Sequence, residues 1–426
     1  SFNESKDLLV KYYENADFHG SRAAMQQAAS MLMKLVPERS HRLASLEYAV
    51  EAMPQDTNLG APTWSRERKY VREYLSRAYD ATSFEDIMPY TLFRRGQPNG
   101  TSIAKRRHVF GSDHVETILG KTVTDPLLES LRTKAGFAAW NDQDYIDLRL
   151  TDLLGYAKRN NRVVVSGDYS KFDSSLLRFV IDICFDAIEW WFDKGATRRI
   201  NILRESFCQT PLICPDGIWC GRNGAVPSGS SLTNLIDSMA NLLAGIYVGW
   251  VVGAPLERAE VLGDDSVFVF SEDVTEELED AMLEVHLTMN RDKQFISDSS
   301  CHYLQRWHSI NYMIDGVCRR VRSPFRALNG MMSYERLRSG WNKYMESARW
   351  IMQAENVRWD KRFNTFVRLM KEGDSVMSSG IDPVDIFMLA GGASHIRSVL
   401  GIESFPFNVK NPEGVSSFAT TRVLRE

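Results

Sequence analysis

The sequence predicts an α+β fold in which an antiparallel sheet is backed by helices. Three observations predict it. RVVVSG (162–167) is a short β-branched run of the kind that forms a buried strand. ERAEVLGDDSVFVF (257–270) reads as strand, tight turn, strand, with Gly263-Asp264-Asp265 at the tip. Between and around these runs lie segments of helical periodicity, so a sheet covered by helices is the economical packing.

Taken in order, the first 90 residues read as mostly helical. SRAAMQQAASMLMKLV (21–36) and ERKYVREYLSRAYDA (67–81) place apolar residues at steps of three and four. From Arg94 to Gly111 the pattern gives way to a basic loop containing Gly and Pro and ending in the strand-like HVFG. After the strand at 162–167 come a polar turn and a helix over 176–191. Gly and Pro punctuate 211–230, which reads as loops and short strands. SLTNLIDSMANLLAGIYVGW (231–250) and EELEDAMLEVHL (276–287) read as helices, and the chain from 311 onward as mostly helical. No internal repeat or low-complexity segment interrupts this order.

Length and composition bound the function. A chain of 426 residues exceeds one ordinary core, so two or three lobes are expected. Hydrophobic content of 44% and ten Trp argue for a large packed interior. The net charge of −4 argues mildly against a nucleic-acid partner unless the cations cluster. They do cluster, at Arg94, Arg95, Lys105, Arg106 and Arg107 and again at Arg319, Arg320, Arg322 and Arg326. For either cluster alone a solvated face is the favoured reading. The six cysteines form no C-x-x-C pair, which suits free thiols in a reducing compartment. The start, SFNESKDLLVKYYEN, is charged and amphipathic and unlike a signal peptide. It lacks an initiating Met, so a fragment or processed chain is expected. Met239 to Leu256 carries no charge, but Asn241, Pro255 and three glycines make it a buried helix running into a loop rather than a membrane span.

The chemistry lies in the acids. A GDD triplet alone is weak, because Gly and Asp favour any hairpin turn. Asp168 also ends an apolar strand, in GDYSKFD. If the two strands share a sheet, Asp168, Asp264 and Asp265 meet at one edge, where like charges raise pKa values unless cations neutralise them. Hard oxygen ligands suit Mg²⁺ or Mn²⁺, and two such ions serve phosphoryl transfer. Between the acidic strands lies GAVPSGSSLTNLIDSMAN (224–241). Ser228 and Gly229 form a hydroxyl-bearing loop, and Thr233, Asp237 and Asn241 follow at four-residue steps on one helical face. A helix cap with a polar stripe is the plainer reading of that segment.

Asp168-x4-Asp173, Ser228-Gly229-x3-Thr233 and Gly263-Asp264-Asp265, in this order, resemble motifs A, B and C of viral RNA-dependent RNA polymerases. GAVPSGSSLTNLIDSMAN and VLGDDSVFVF are most similar to the double-stranded RNA virus group containing picobirnaviruses and partitiviruses. The recognisable motifs run from Lys105 to Arg306.

The resemblance implies a right-hand polymerase of fingers, palm and thumb. It divides the chain into an N-terminal region with fingers (1–160), palm with motif A (161–178), a fingers insertion (179–223), palm with the remaining motifs (224–310) and thumb (311–426). It implies template-directed RNA synthesis from NTPs with two Mg²⁺ or Mn²⁺ ions. Asp168 and Asp264 would bind both ions, and Asp265 would be the supporting acid. Asp173 would read the ribose 2′-hydroxyl. Ser228, Gly229, Thr233 and Asp237 would complete the nucleotide site. Asp237 departs from the many plus-strand virus polymerases that place Asn there. Lys105 and Arg107, in KRRHVFG, resemble the basic fingertip motif and would meet the triphosphate. Lys293, in LTMNRDKQF, resembles the lysine proposed as general acid for pyrophosphate departure. Tyr303-Leu304-Gln305-Arg306 resembles a turn that grips the product strand, where the family more often has Gly at the position of Gln305. Arg94, Arg95, Arg306, Arg319 and Arg326 would contact RNA backbone. The implied partners are RNA template and product, NTPs and a viral capsid, with no membrane, and the implied setting is the virion interior or host cytoplasm.

Three other readings stay open on the residues. A reverse transcriptase has a similar layout, although Phe172 and Leu262 fit its pattern poorly. A non-catalytic RNA-binding replicase scaffold would not need the intact acids. A two-metal nuclease would leave the 224–241 segment and the basic fingertip without a purpose.

Overall fold

The structure is a computed structural model that describes residues 2, 5–53, 58–97, 105–290, 294–333, 340–400 and 414–426. Contacts divide the chain into two compact units. The first comprises residues 1–94, 108–304 and 308–318, and the second 95–107, 305–307 and 319–426.

The strands in chain order are β1 (Tyr90–Gln97), β2 (Lys105–Gly111), β3 (Val164–Gly167), β4 (Tyr169–Ser170), β5 (Leu212–Cys214), β6 (Gly217–Trp219), β7 (Leu256–Leu262), β8 (Asp265–Phe270), β9 (Thr288–Met289), β10 (Phe295–Ser297), β11 (Ser300–Tyr303), β12 (Arg306–Ser309), β13 (Met313–Ile314) and β14 (Val317–Cys318). Four of them form the antiparallel sheet β10-β3-β8-β7. The expected pairing of the two acidic strands is present, with Val164 opposite Val269 and Gly167 opposite Ser266.

Both faces of the central strands β3 and β8 are buried, which explains why these two read as continuous apolar runs rather than alternating ones. Val165, Phe268 and Phe270 enter the main core with the helices Thr233–Val251 and Arg178–Trp191. Val164, Val267 and Val269 face the other way, into a smaller core with Ile146, Leu150 and Leu154 of the helix Gln143–Arg159. Period two thus distributes one apolar strand between two cores.

The Thr233–Val251 helix lies close against this sheet. A Cβ on Gly245 would meet the Phe268 ring at 2.7 Å, and one on Gly249 would meet the Leu256 amide nitrogen at 2.8 Å. The uncharged Met239–Leu256 run is therefore a core helix followed by a loop into β7, as expected. Among the described residues no helix is long and apolar enough to cross a membrane.

A second sheet has the order β2-β1-β5-β6, with β1 parallel to β5 and β5 antiparallel to β6. It corrects the reading of 94–111 as a loop: β1 runs on through Arg94 and Arg95, and β2 begins at Lys105. Thr91, Leu92 and Phe93 supply the strand propensity, and basic neighbours are no obstacle on a strand. Residues 311–318 also differ from expectation. They form the β13–β14 hairpin, whose Cys318 amide donates to Thr151 Oγ1 at 2.9 Å. This ties the segment to the first unit, and the second unit resumes at Arg319 rather than at 311. The helix expected over 276–287 is shorter, Leu278–Glu284, ending before His286 at φ 64°. The second unit has its own core, built on the helices Lys343–Glu355, Phe363–Gly373, Pro383–Leu389 and Ala419–Arg425.

Candidate active site

The β3–β8 register places the acids. Gly167 stands opposite Ser266, so Asp168, next along β3, comes beside Asp265 at the same edge of the sheet. Asp264 occupies the two-residue turn between β7 and β8, closed by the pairing of Leu262 with Asp265. Gly263 opens that turn at φ 58°, the position where a type II′ hairpin requires glycine.

The turn is held from below by the Thr233–Val251 helix. The Gly263 amide donates to Ser238 Oγ at 2.9 Å. Asn241 Nδ2 donates to the Gly263 carbonyl at 2.8 Å, and Asn241 Oδ1 accepts from the buried Tyr169 hydroxyl at 3.0 Å. One amide side chain therefore joins the residue after Asp168 to the residue before Asp264. The Asp168 carbonyl accepts from the Asn290 amide at 2.9 Å. Ser238 and Tyr169 were not singled out in the sequence. The signal for Ser238 was its place one residue after Asp237 and three before Asn241.

The acids feel one another. Asp265 is pushed up to about 6 by burial first, then by the charges of Asp264 and Asp168. Asp237 is held well above the usual carboxylate range, by burial first and then by Asp173 and Asp264. Its Oδ1 has no hydrogen-bond partner among the described residues. The expected apposition of Asp173 and Asp237 thus appears as mutual repulsion, with Asp237 favouring its neutral form. Among the described residues no group of three or more His, Cys, Asp or Glu stands close enough together to hold a metal ion. Asp168, Asp264 and Asp265 share an edge and a field rather than a preformed cage.

The 224–233 segment joins this edge through backbone contacts. The Val226 amide donates to the Asp173 carbonyl at 2.7 Å, and the Ala225 amide to the Leu176 carbonyl at 2.9 Å. Thr233 Oγ1 donates to the Pro227 carbonyl at 3.0 Å and accepts from the Gly229 amide at 3.4 Å. Arg222, fully buried, donates to the carbonyls of Gly224 and Ala225 at 2.9 Å each and so props the loop from beneath.

The basic residues are divided between the two units. Arg94, in the first unit, lies over the Phe2 ring at 5.8 Å. Lys105 and Arg107 are the first and third residues of β2, and with Arg95, Arg306, Arg319 and Arg326 they belong to the second unit. Arg319 stacks on Trp359 at 4.9 Å, and Arg306 donates to Asn356 at 3.4 Å. Leu304 and Gln305, between β11 and β12, take φ 51° and 60°, the backbone in which glycine is at ease. Lys293 lies outside the described residues.

A family model described as "Viral RNA-dependent RNA polymerase" matches residues 25–360. The chain belongs to the viral RNA-dependent RNA polymerase family. It is 26% identical, over 358 residues, to the potential RNA-dependent RNA polymerase of human picobirnavirus (strain Human/Thailand/Hy005102/-), covering 78% of this chain and 65% of that protein. It is 23% identical over 262 residues to the RNA-directed RNA polymerase of Cryptosporidium parvum virus 1 (strain KSU-1), covering 57% of this chain and 49% of that one. The chain therefore spans about half to two thirds of the length of these relatives. Among solved structures it is similar to the RNA-dependent RNA polymerase of a human picobirnavirus, with a TM-score of 0.78 at 23% identity over 94% of this chain and 83% of that one. An insertion-loop deletion mutant of that polymerase gives a TM-score of 0.79 at 23% identity, over 100% of this chain and 83% of that one. The fold is the α+β right-hand polymerase fold. Viral RNA-dependent RNA polymerases generally use divalent metal ions.

Proposed function

We infer that this chain is the catalytic core of an RNA-dependent RNA polymerase that copies an RNA template from NTPs. The observation that carries the reading is the β3–β8 register, which brings the half-buried Asp168 and Asp265 side by side and next to the exposed Asp264 at one sheet edge.

The donor set fits a divalent cation. Three hard carboxylate groups share one edge, and Asp265 is pushed up by burial first and then by the charges of Asp264 and Asp168, a charge repulsion that a cation would relieve. Asp168 and Asp264 would hold two Mg²⁺ or Mn²⁺ ions, with Asp265 in support. Bound there, the ions would make the RNA 3′-hydroxyl a better nucleophile and stabilise charge on the departing pyrophosphate. The protein's own residues do the rest. Asp173 accepts the hydrogen bond of the ribose 2′-hydroxyl. Asp237, buried and biased toward its neutral form, would stand near Asp173 at less electrostatic cost than a second full negative charge. Ser228, Gly229 and Thr233 shape the floor under the nucleotide. Lys105 and Arg107 neutralise the triphosphate, and Lys293 donates a proton to the pyrophosphate. Arg94, Arg95, Arg306, Arg319 and Arg326 hold RNA backbone without reading its sequence.

The division into fingers (1–160 and 179–223), palm (161–178 and 224–310) and thumb (311–426) is part of the same reading, with the thumb's helical core starting after Arg319. That the relatives are proteins of double-stranded RNA viruses favours the virion interior or host cytoplasm as the setting and the capsid as a partner.

Purified chain, given a single-stranded RNA template, Mg²⁺ or Mn²⁺ and labelled precursors, tests this. The expected result is template-length product from NTPs and little from dNTPs. Preference for dNTPs would favour a reverse transcriptase, and template shortening without NTPs a nuclease.

A further inference from the structure

The loop Pro227–Thr233 carries three of the residues proposed to meet the nucleotide, and two walls clamp it. On one side is β2. The Phe110 amide donates to the Ser228 carbonyl at 2.8 Å. Gly229, at φ 131°, lies so near that a Cβ would meet the Phe110 carbonyl oxygen at 2.3 Å.

On the other side is the first turn of the His114–Leu131 helix. Glu116 is 1% exposed, and its Oε1 accepts from Ser230 Oγ at 2.6 Å and from Ser231 Oγ at 3.4 Å. Gly120, one turn further, leaves the space that Ser231 needs: a Cβ there would fall 1.9 Å from Ser231 Oγ. Ser112 Oγ, just before the helix, donates to the Gly229 carbonyl at 3.4 Å. The helix end is itself fixed. Its capping residue Asp113 accepts from the Val115 amide at 3.1 Å and from Arg77 at 2.8 Å.

Ser230 links this wall to the active-site helix. Its hydroxyl donates to Glu116 and accepts from the Leu232 amide at 3.2 Å, at the start of the Thr233–Val251 helix. That helix carries Asp237, Ser238 and Asn241, and so the seat of the Gly263-Asp264-Asp265 turn. A buried carboxyl is costly unless hydrogen-bonded, and an apolar side chain would fill the same space more cheaply. Burial pushes Glu116 up to about 7 against the opposing hydrogen bond from Ser230, and its Oε2 has no partner among the described residues. That cost is met for the sake of two serines of one loop.

We propose that Glu116 is a positioning residue of the nucleotide site, which seats the Pro227–Thr233 loop through Ser230 and Ser231. The proposal rests on the polymerase reading. It touches no reacting atom and acts through the loop, so its loss weakens nucleotide binding more than turnover.

The test compares wild type, E116A, E116Q, S230A and E116A/S230A in two measurements. One is steady-state NTP incorporation resolved into KM and kcat. The other is amide hydrogen exchange over residues 226–233 in the chain without RNA or nucleotide. E116A and S230A are expected to raise KM for NTP about tenfold, the scale of one lost buried hydrogen bond, with kcat changed less than about twofold. The double variant should be no worse than either single one. E116Q, which keeps an acceptor for Ser230, should restore KM, and exchange over 226–233 should quicken in E116A and S230A only. If E116A does not fold, S230A decides alone. A folded S230A with wild-type KM and wild-type loop exchange would overturn the proposal and leave the polymerase reading standing. A wild type that incorporates nothing, beside faster loop exchange in S230A, would sink the polymerase reading and leave the seat in place.

Discussion

A carboxyl buried beside two other carboxyls resists ionisation, and Asp237 is such a group. Its departure from Asn is therefore small in charge, since a neutral acid and an amide are close in shape and each can donate a hydrogen bond, the acid through one O–H and the amide through its NH2. Asp237→Asn should keep nucleotide incorporation within about threefold of wild type, measured as initial rate; complete loss would show that the Asp173–Asp237 pair works otherwise. His114 makes a pH prediction. Burial first, and then the charge of Arg68, push it down to about 4, below its usual 6.5. A depressed His contributes stability that is full above pH 6.5 and is lost as pH falls toward 4, because the unfolded chain takes up the proton first. The urea midpoint should fall through that window, by up to about 3 kcal/mol in unfolding free energy, and His114→Gln should flatten the fall. At this scale Asp168, Asp264 and Asp265 were legible because each stands at an abrupt end of an apolar run. Glu116, Ser238 and Tyr169 were not, because a single polar residue in a helix or strand carries no mark of the distant loop that it touches.

Elements were legible where period and length agreed. The Thr233–Val251 helix and the β7–β8 hairpin fall within two residues of expectation, since a long apolar period and a Gly-Asp turn leave few alternatives. The β1 strand and the basic start of β2 were missed, although HVFG was read as strand-like, because basic residues on a strand mimic a solvated loop, and the pairing of β1 with β5 depends on residues far away. The β13–β14 hairpin was missed because two-residue strands have too short a pattern to read. The closeness of the Thr233–Val251 helix to β7 was also invisible, and it makes an element-scale prediction. Gly249→Ala would drive a methyl against backbone atoms of Ala254 and Leu256, at 2.9 and 2.8 Å. It should lower unfolding stability by about 1–3 kcal/mol in chemical denaturation, despite alanine's better helix propensity. A neutral or stabilised variant would mean that the loop 252–255 yields.

For the molecule as a whole, charge and division matter most. A chain of net charge −4 can bind RNA only if its cations are segregated, and Arg94 and Arg95 on β1 are exposed. Replacing both with Ala should weaken single-stranded RNA binding alike for different sequences and lessen the salt slope by about 0.7 per charge removed, measured by fluorescence anisotropy across salt concentrations. An unchanged slope would place the RNA path elsewhere. The general architecture was legible because motif order fixes which strands share a sheet. The line between the two units was not, since residues 95–107 and 305–307 join the second unit from within the first unit's span of sequence. The central expectation is that RNA is made at the edge bearing Asp168, Asp264 and Asp265. Labelled NTP incorporation on an RNA template with Mg²⁺ or Mn²⁺, comparing wild type with Asp264→Ala, tests it most directly. Template-length product is expected from wild type and its loss from a variant that remains folded; equal product from both would contradict this placement of the active site.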